Sequence, residues 1–212
     1  MELKRRGVML VIASPSGAGK TSITRALMAR NANLSLSISV TTRPKRTSEV
    51  DGVHYRFLSL AEFEAMRDRG QLLEWARVHD NFYGTPKSEV EDRIRDGRDV
   101  AFDIDWQGTL QLYEKCSADM VTVFVLPPSI AELKARLERR AQDSPEVIAR
   151  RLKNARIEMD HWAEYDYVLV NRDLDESVAT VAAILHSAHH ARPRHQDLGK
   201  FVRDLQAQID LI

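Results

Sequence analysis

The run Ser14-Pro15-Ser16-Gly17-Ala18-Gly19-Lys20-Thr21 contains the residue types needed to hold a chain of phosphates. Gly17 and Gly19 let the backbone curl so that successive N–H groups point inward, Lys20 can reach terminal phosphates, and the Thr21 hydroxyl can ligate Mg²⁺. The pattern is G-x-x-x-x-G-K-[ST] with Ser14 in place of the first glycine. A turn accepts serine there provided the position does not require φ > 0. Further on, Thr41-Thr42-Arg43-Pro44-Lys45-Arg46 sets two guanidinium groups close together. Their planar forks match phosphate bidentately, so this is a candidate second phosphate site, and the question becomes what receives the phosphate. Asp103 ends an apolar run where a carboxylate would orient water on Mg²⁺ or pair with Lys20. Asp105, two residues on, points to the same side of an extended chain; it also stands where a helix N-cap would, before Gln107.

These residues need rigid supports. Val8–Ala13 is a short apolar run suited to a buried strand, and the Ile23-x-x-Ala26-Leu27 pattern after Thr21 is that of an amphipathic helix, which presents its positive N-terminus to the same anion. Residues 100–104, 120–126 and 167–170 read as further core strands, separated by helical stretches near 107–116, 129–140, 145–163 and 173–190. The alternation predicts an α/β fold, a parallel sheet with helices on both faces, whose ligands bind at the carboxyl ends of the strands. Residues 35–95 break the alternation: strands at 37–40, 54–57, 71–78 and 82–84 and a helix at 60–69 suggest an inserted mixed sheet. A second, charge-dense insertion over 136–156 reads as a mobile flap.

Bulk composition narrows the class. The 212 residues suffice for one α/β domain with insertions, and 31 Lys+Arg balance 31 Asp+Glu, so no overall charge drives the chain towards nucleic acid or anionic membrane. The apolar run after the basic start is too short to span a bilayer, and the single cysteine, Cys116, fits a reducing compartment; a cytoplasmic location is expected. His186, His189 and His190 share a helical face but have no carboxylate or thiol in register, and read as solvated rather than metal-binding. Residues 191–212 form an amphipathic helix with Phe201, Leu205 and Ile209 on one stripe, expected to pack on the core or on another subunit, which leaves a homo-oligomer open.

Six ordered motifs around the phosphate loop, from about residue 5 to 190, carry a resemblance: Ser39-Val-Thr-Thr-Arg-Pro-x-Arg46, Asp51-Gly-Val-His-Tyr55-x-Phe57, Glu74-Trp-Ala76, Tyr83-Gly-Thr85, Asp103-Ile-Asp105-x-Gln-Gly108 and Tyr165-Asp-Tyr-Val-Leu-Val-Asn171. The chain resembles the guanylate kinases. The resemblance implies a three-layer P-loop kinase fold with a core of residues 1–36, 96–128 and 164–212, a GMP-binding subdomain over 37–95 and a helical lid over 129–163. It implies transfer of the γ-phosphate of Mg-ATP to GMP, with ATP and GMP as partners and neither nucleic acid nor membrane. Ser39, Arg43, Arg46, Tyr55, Glu74, Tyr83, Thr85 and Asp105 would line the GMP site, and Asn171 would lie on the adenine side. Arg136, Arg140 and Arg151 would close over the transferring phosphate with Lys20, Arg43 and Asp103. The residues suit these roles: guanine offers N1–H and an amine to a carboxylate on one edge and O6 to hydroxyls on the other, and two acidic and two hydroxyl residues are provided. A sugar-phosphate kinase would not need Glu74, Asp105 and Thr85 together, and a phosphopeptide-binding scaffold on the same fold could dispense with the ATP loop.

Overall fold

The computed structural model describes residues 3–78, 80–139, 144–209 and 211. From the N-terminus the elements are β1 (Met9–Ala13), α1 (Lys20–Arg30), β2 (Leu34–Leu36), β3 (Val40–Thr41), β4 (Arg56–Phe57), α2 (Leu60–Asp68), β5 (Leu72–Val78) and β6 (Asn81–Pro86). There follow α3 (Lys87–Arg95), β7 (Asp99–Phe102), α4 (Trp106–Cys116), β8 (Met120–Leu126), α5 (Ile130–Arg139), α6 (Pro145–Met159), β9 (Tyr167–Val170), α7 (Leu174–His189) and α8 (Leu198–Ile209).

β1 is apolar and buried along its whole length, as a strand covered on both faces must be. Its alternate residues serve two cores. Val8, Leu10 and Ile12 pack with Ile23 and Leu27 of α1 and with Val178, Val181 and Leu185 of α7. Met9, Val11 and Ala13 pack with Val90 and Ile94 of α3 and Leu112 of α4. The side-chain period of two thereby builds a three-layer sandwich around a parallel sheet ordered β2-β7-β1-β8-β9. A second sheet, ordered β4-β3-β6-β5, mixes a parallel β3–β4 pair with antiparallel β3–β6 and β5–β6 pairs and rests on Val40, Phe63 and Leu72. Leu133, Leu137 and Ala155 make a small separate core between α5 and α6.

Five expectations change. The strand expected at 37–40 is confined to Val40–Thr41, while Leu34–Leu36 forms a fifth, edge strand of the core sheet. Helix α3 was not foreseen, because its sequence is mostly charged and only Val90 and Ile94, one turn apart, are buried. The helix expected to run to 163 ends at Met159 and passes into a 3₁₀ turn, Asp160–Glu164. The tail is anchored at its root: Arg194, 6% exposed, donates to the carbonyls of Gly7, Asp119 and Met120, whereas α8 buries none of its residues. His189 is not wholly solvated either, since its Nε2 lies 2.9 Å from the buried carboxylate of Asp99.

Candidate active site

β1 hands the chain to the phosphate loop at the carboxyl edge of the sheet, and α1 starts at once with Gly19 as its N-cap at φ 112°. An L side chain there would be strained, and its Cβ would lie 2.3 Å from Asn171 Nδ2. Ser14 is not in the left-handed region, because Asp80 is the single described non-glycine residue with positive φ. Serine therefore replaces the first glycine without strain. The loop is braced from behind by Asn171 at the end of β9. Its Nδ2 donates to the Ala18 carbonyl at 2.8 Å, and its Oδ1 accepts from Ser177 at 3.0 Å. Arg136 donates to the same Ala18 carbonyl at 3.1 Å and to the Asn171 carbonyl at 3.2 Å.

In front of the loop lies a cavity of about 370 Å³, with Asp103, Asp105, Trp106, Glu158 and Tyr165 opposite Gly17, Gly19, Lys20 and Thr21. Lys20 forms an ion pair with Asp103, which leaves the end of β7. Pairing with Lys20 was one of the two roles foreseen for Asp103; Lys20 opens α1 and Asp103 follows β7, both at the carboxyl edge of the sheet.

The candidate second phosphate cluster sits on the mixed sheet. Thr41, fully buried on β3, accepts from the Arg43 N–H at 3.2 Å and donates to the Phe82 carbonyl, which fixes the turn that presents Arg43. The Arg43 guanidinium lies 5.5 Å from the Tyr55 ring, and the Tyr55 and Tyr83 rings meet edge to face at 5.9 Å. Burial, with the nearby charge of Asp103, pushes the Tyr55 phenol above its ordinary value. Arg46 is exposed beside them. Sequence reasoning missed Glu49, whose carboxylate accepts from Arg43 Nη2 at 2.7 Å and from the Arg46 N–H at 2.8 Å. Those two bonds hold its pKa at about 2.

Glu74 and Thr85 face each other across β5 and β6, 4% and 0% exposed, and the Thr85 hydroxyl donates to Glu74 Oε1 at 2.7 Å. Burial, opposed by that hydrogen bond and reinforced by the charge of Asp105, pushes the Glu74 carboxyl up to about 7. Asp105 fills the N-cap position that the sequence also offered it: Oδ1 caps α4 by accepting from the Gly108 N–H at 2.9 Å, and the residue lines the cavity. A Cβ on Gly108 would stand 3.0 Å from Glu74 Oε2, so the first turn of α4 closes directly over that carboxylate. Ser39 precedes β3, and its carbonyl accepts from the Arg56 N–H at 2.9 Å.

Of the three arginines expected over the transferring phosphate, neither Arg136 nor Arg151 lines the cavity. Arg136 grips the back of the loop, Arg151 is half-buried on α6, and Arg140 lies outside the described residues. The lid instead sends in Glu158, whose Oε2 accepts from the Ser16 N–H at 3.0 Å. Its signal in the sequence was slight: seven residues after Arg151, it shares that residue's helix face.

A phosphate loop after a central parallel strand, together with an arginine–tyrosine cluster and a buried carboxylate–hydroxyl pair on a second, inserted sheet, is the architecture of a P-loop kinase. The family model for guanylate kinase matches residues 6–188. Curated guanylate kinases of Rhizobium etli and Rhizobium meliloti are 56% and 55% identical, over 97% and 100% of this chain and 93% and 96% of their own lengths. A crystal structure of guanylate kinase from Anaplasma phagocytophilum superposes with a TM-score of 0.77 at 34% identity, over 95% of this chain and 96% of that one. The chain belongs to the guanylate kinase family.

Proposed function

We propose that the protein transfers the γ-phosphate of Mg-ATP to GMP, giving ADP and GDP. The observation that carries this reading is the buried Glu74–Thr85 pair near Asp105, which lines the cavity in front of the phosphate loop. Ionised Glu74, with Asp105, accepts from guanine N1–H and the exocyclic amine, while Ser39 and Thr85 serve O6. Adenine offers an unprotonated N1 there and leaves the buried carboxylate without a donor, which disfavours AMP by roughly 10⁴-fold. Arg43, Arg46, Tyr55 and Tyr83 hold the GMP phosphate and offset part of its charge.

A phosphate oxygen of GMP attacks the γ-phosphorus of ATP in line, and the bond to the β–γ bridging oxygen breaks as ADP leaves. The attacking oxygen is already ionised at neutral pH, so no protein base is needed, and catalysis consists of positioning and charge stabilisation. Lys20 and the loop N–H groups hold the departing phosphates; Arg136, Arg140 and Arg151 come over the moving group when the lid closes and water is expelled. The adenosine lies along the Arg136–Asn171 side of the loop.

The donor set fits Mg²⁺. Thr21 and Asp103 offer hard oxygens, and no cluster of three or more His, Cys, Asp or Glu occurs among the described residues, as suits an ion held chiefly by phosphates and water. When bound, Mg²⁺ neutralises charge on the phosphates. The proposed setting is the cytoplasm, and no helix among the described residues is long and apolar enough to cross a membrane.

Coupled detection of ADP tests the reading with GMP, AMP, UMP and ribose 5-phosphate as acceptors. Turnover with GMP alone is expected; absence of GMP-dependent turnover refutes it. Glu74→Ala should raise KM for GMP at least a hundredfold while leaving ATP affinity within about twofold, and equal loss of both would reject Glu74 as the guanine reader.

A further inference from the structure

The Ser16 N–H is one of the inward donors of the phosphate loop, and here it is donated to Glu158 at 3.0 Å. Glu158 reaches it from the last turn of α6, far away in sequence, and lines the same cavity as Lys20, Thr21 and Asp103. Its approach is fixed by the residues that follow it. The next residue, Met159, packs against the small core between α5 and α6. Just beyond, His161 stacks on Trp106, with ring centroids 3.9 Å apart and planes 13° from parallel. Glu158 is thus a carboxylate held in a position that a nucleotide phosphate must also use.

One N–H cannot serve two anions, and two anions side by side in a partly dry site repel strongly. We propose that Glu158 sets affinity and selectivity at the donor site. It holds the Ser16 amide until a phosphate of ATP takes the amide over, and the incoming charge then drives the carboxylate off the loop. ATP occupancy and the Glu158–Ser16 hydrogen bond are mutually exclusive, so part of the binding energy is spent on displacing the carboxylate before the lid closes. ATP brings one more negative charge than ADP, so it feels Glu158 more. The inference rests on the loop being the ATP site, as proposed above.

Titration calorimetry of the full-length protein with Mg-ATP and Mg-ADP, for wild type, Glu158→Gln and Glu158→Ala, tests this together with melting of the nucleotide-free proteins. Removing the charge should tighten ATP binding roughly tenfold or more and ADP binding less. At the same time the nucleotide-free variants should melt a few degrees lower, because a charge-assisted hydrogen bond is gone. A merely structural contact would lower the melting temperature and weaken, or leave unchanged, the binding of both nucleotides. That result, or failure of both variants to fold, overturns the role of Glu158. If wild type itself binds no Mg-ATP, the kinase reading falls, and this inference with it.

Discussion

At Glu74, specificity depends on a proton. Its carboxyl titrates near 7 rather than at its ordinary 4.5, chiefly because it is buried. A raised pKa means that the folded protein favours the protonated form: the associated stability is complete below 4.5 and is lost as pH rises through about 7. Guanine needs the ionised form, so GMP affinity should fall below pH 7, by up to about tenfold per unit. Glu74→Gln should bind GMP more weakly at pH 8 and lose the part of the pH slope due to this group; an unchanged slope between pH 5.5 and 8 would show that another group sets it. Glu49 is the opposite case, held ionised by Arg43 and the Arg46 amide down to about 2. The phosphate loop was legible from sequence because its chemistry resides in the backbone, which glycine spacing reveals. Glu49 and Glu158 were not, because a surface-like glutamate gives no sign of which amide it will meet.

Element α4 has two duties at one turn. Asp105 caps it, and the same turn closes over Glu74, which leaves no room for a side chain at residue 108. Gly108→Ala should therefore raise KM for GMP roughly ten- to hundredfold, by shifting a hydrogen-bonding carboxylate a few tenths of an ångström or more, with ATP affinity unchanged. Gly19→Ala should instead abolish ATP binding, since it combines left-handed strain at φ 112° with a collision against Asn171. Binding measurements on the two variants would separate the acceptor and donor sides. The core strands β1, β7, β8 and β9 were legible from their β-branched runs, whereas β2 is a three-residue edge and α3 a charged helix with a single buried stripe. Periodicity fades where an element buries little.

For the molecule as a whole, the clasp at Arg194 matters more than the helix after it. The guanidinium joins the tail's root to the starts of β1 and β8, and the Arg5–His195 bridge and the Arg6 N–H bond to the Arg194 carbonyl align the two chain ends. Arg194→Met should leave three inward-facing carbonyls without a donor and cost about 2–4 kcal/mol. That corresponds to a fall in melting temperature of roughly 5–15 °C for a chain of this size, with kcat in the folded protein unaffected because the clasp is at the opposite edge of the sheet from the phosphate loop. Calorimetry and steady-state rates on the same preparation check both parts. The sequence indicated a tail helix packed on the core or on another subunit; within the chain, the anchoring comes from Arg194 and the backbone bonds beside it, outside that helix. An amphipathic stripe shows that a helix could pack, not that it does.

The order of strands across the central sheet has a consequence for synthesis. β1 leaves the ribosome well before β7 and β8, which flank it, and before Asn171 beyond β9, which braces its loop. Met9–Ala13, buried throughout in the finished protein, must wait with its edges bare until Asp99–Phe102 and Met120–Leu126 have been made. The nascent chain therefore depends on other protection for this hydrophobic strand until β7 and β8 have been made, and it acquires a braced nucleotide site only after Asn171 has followed.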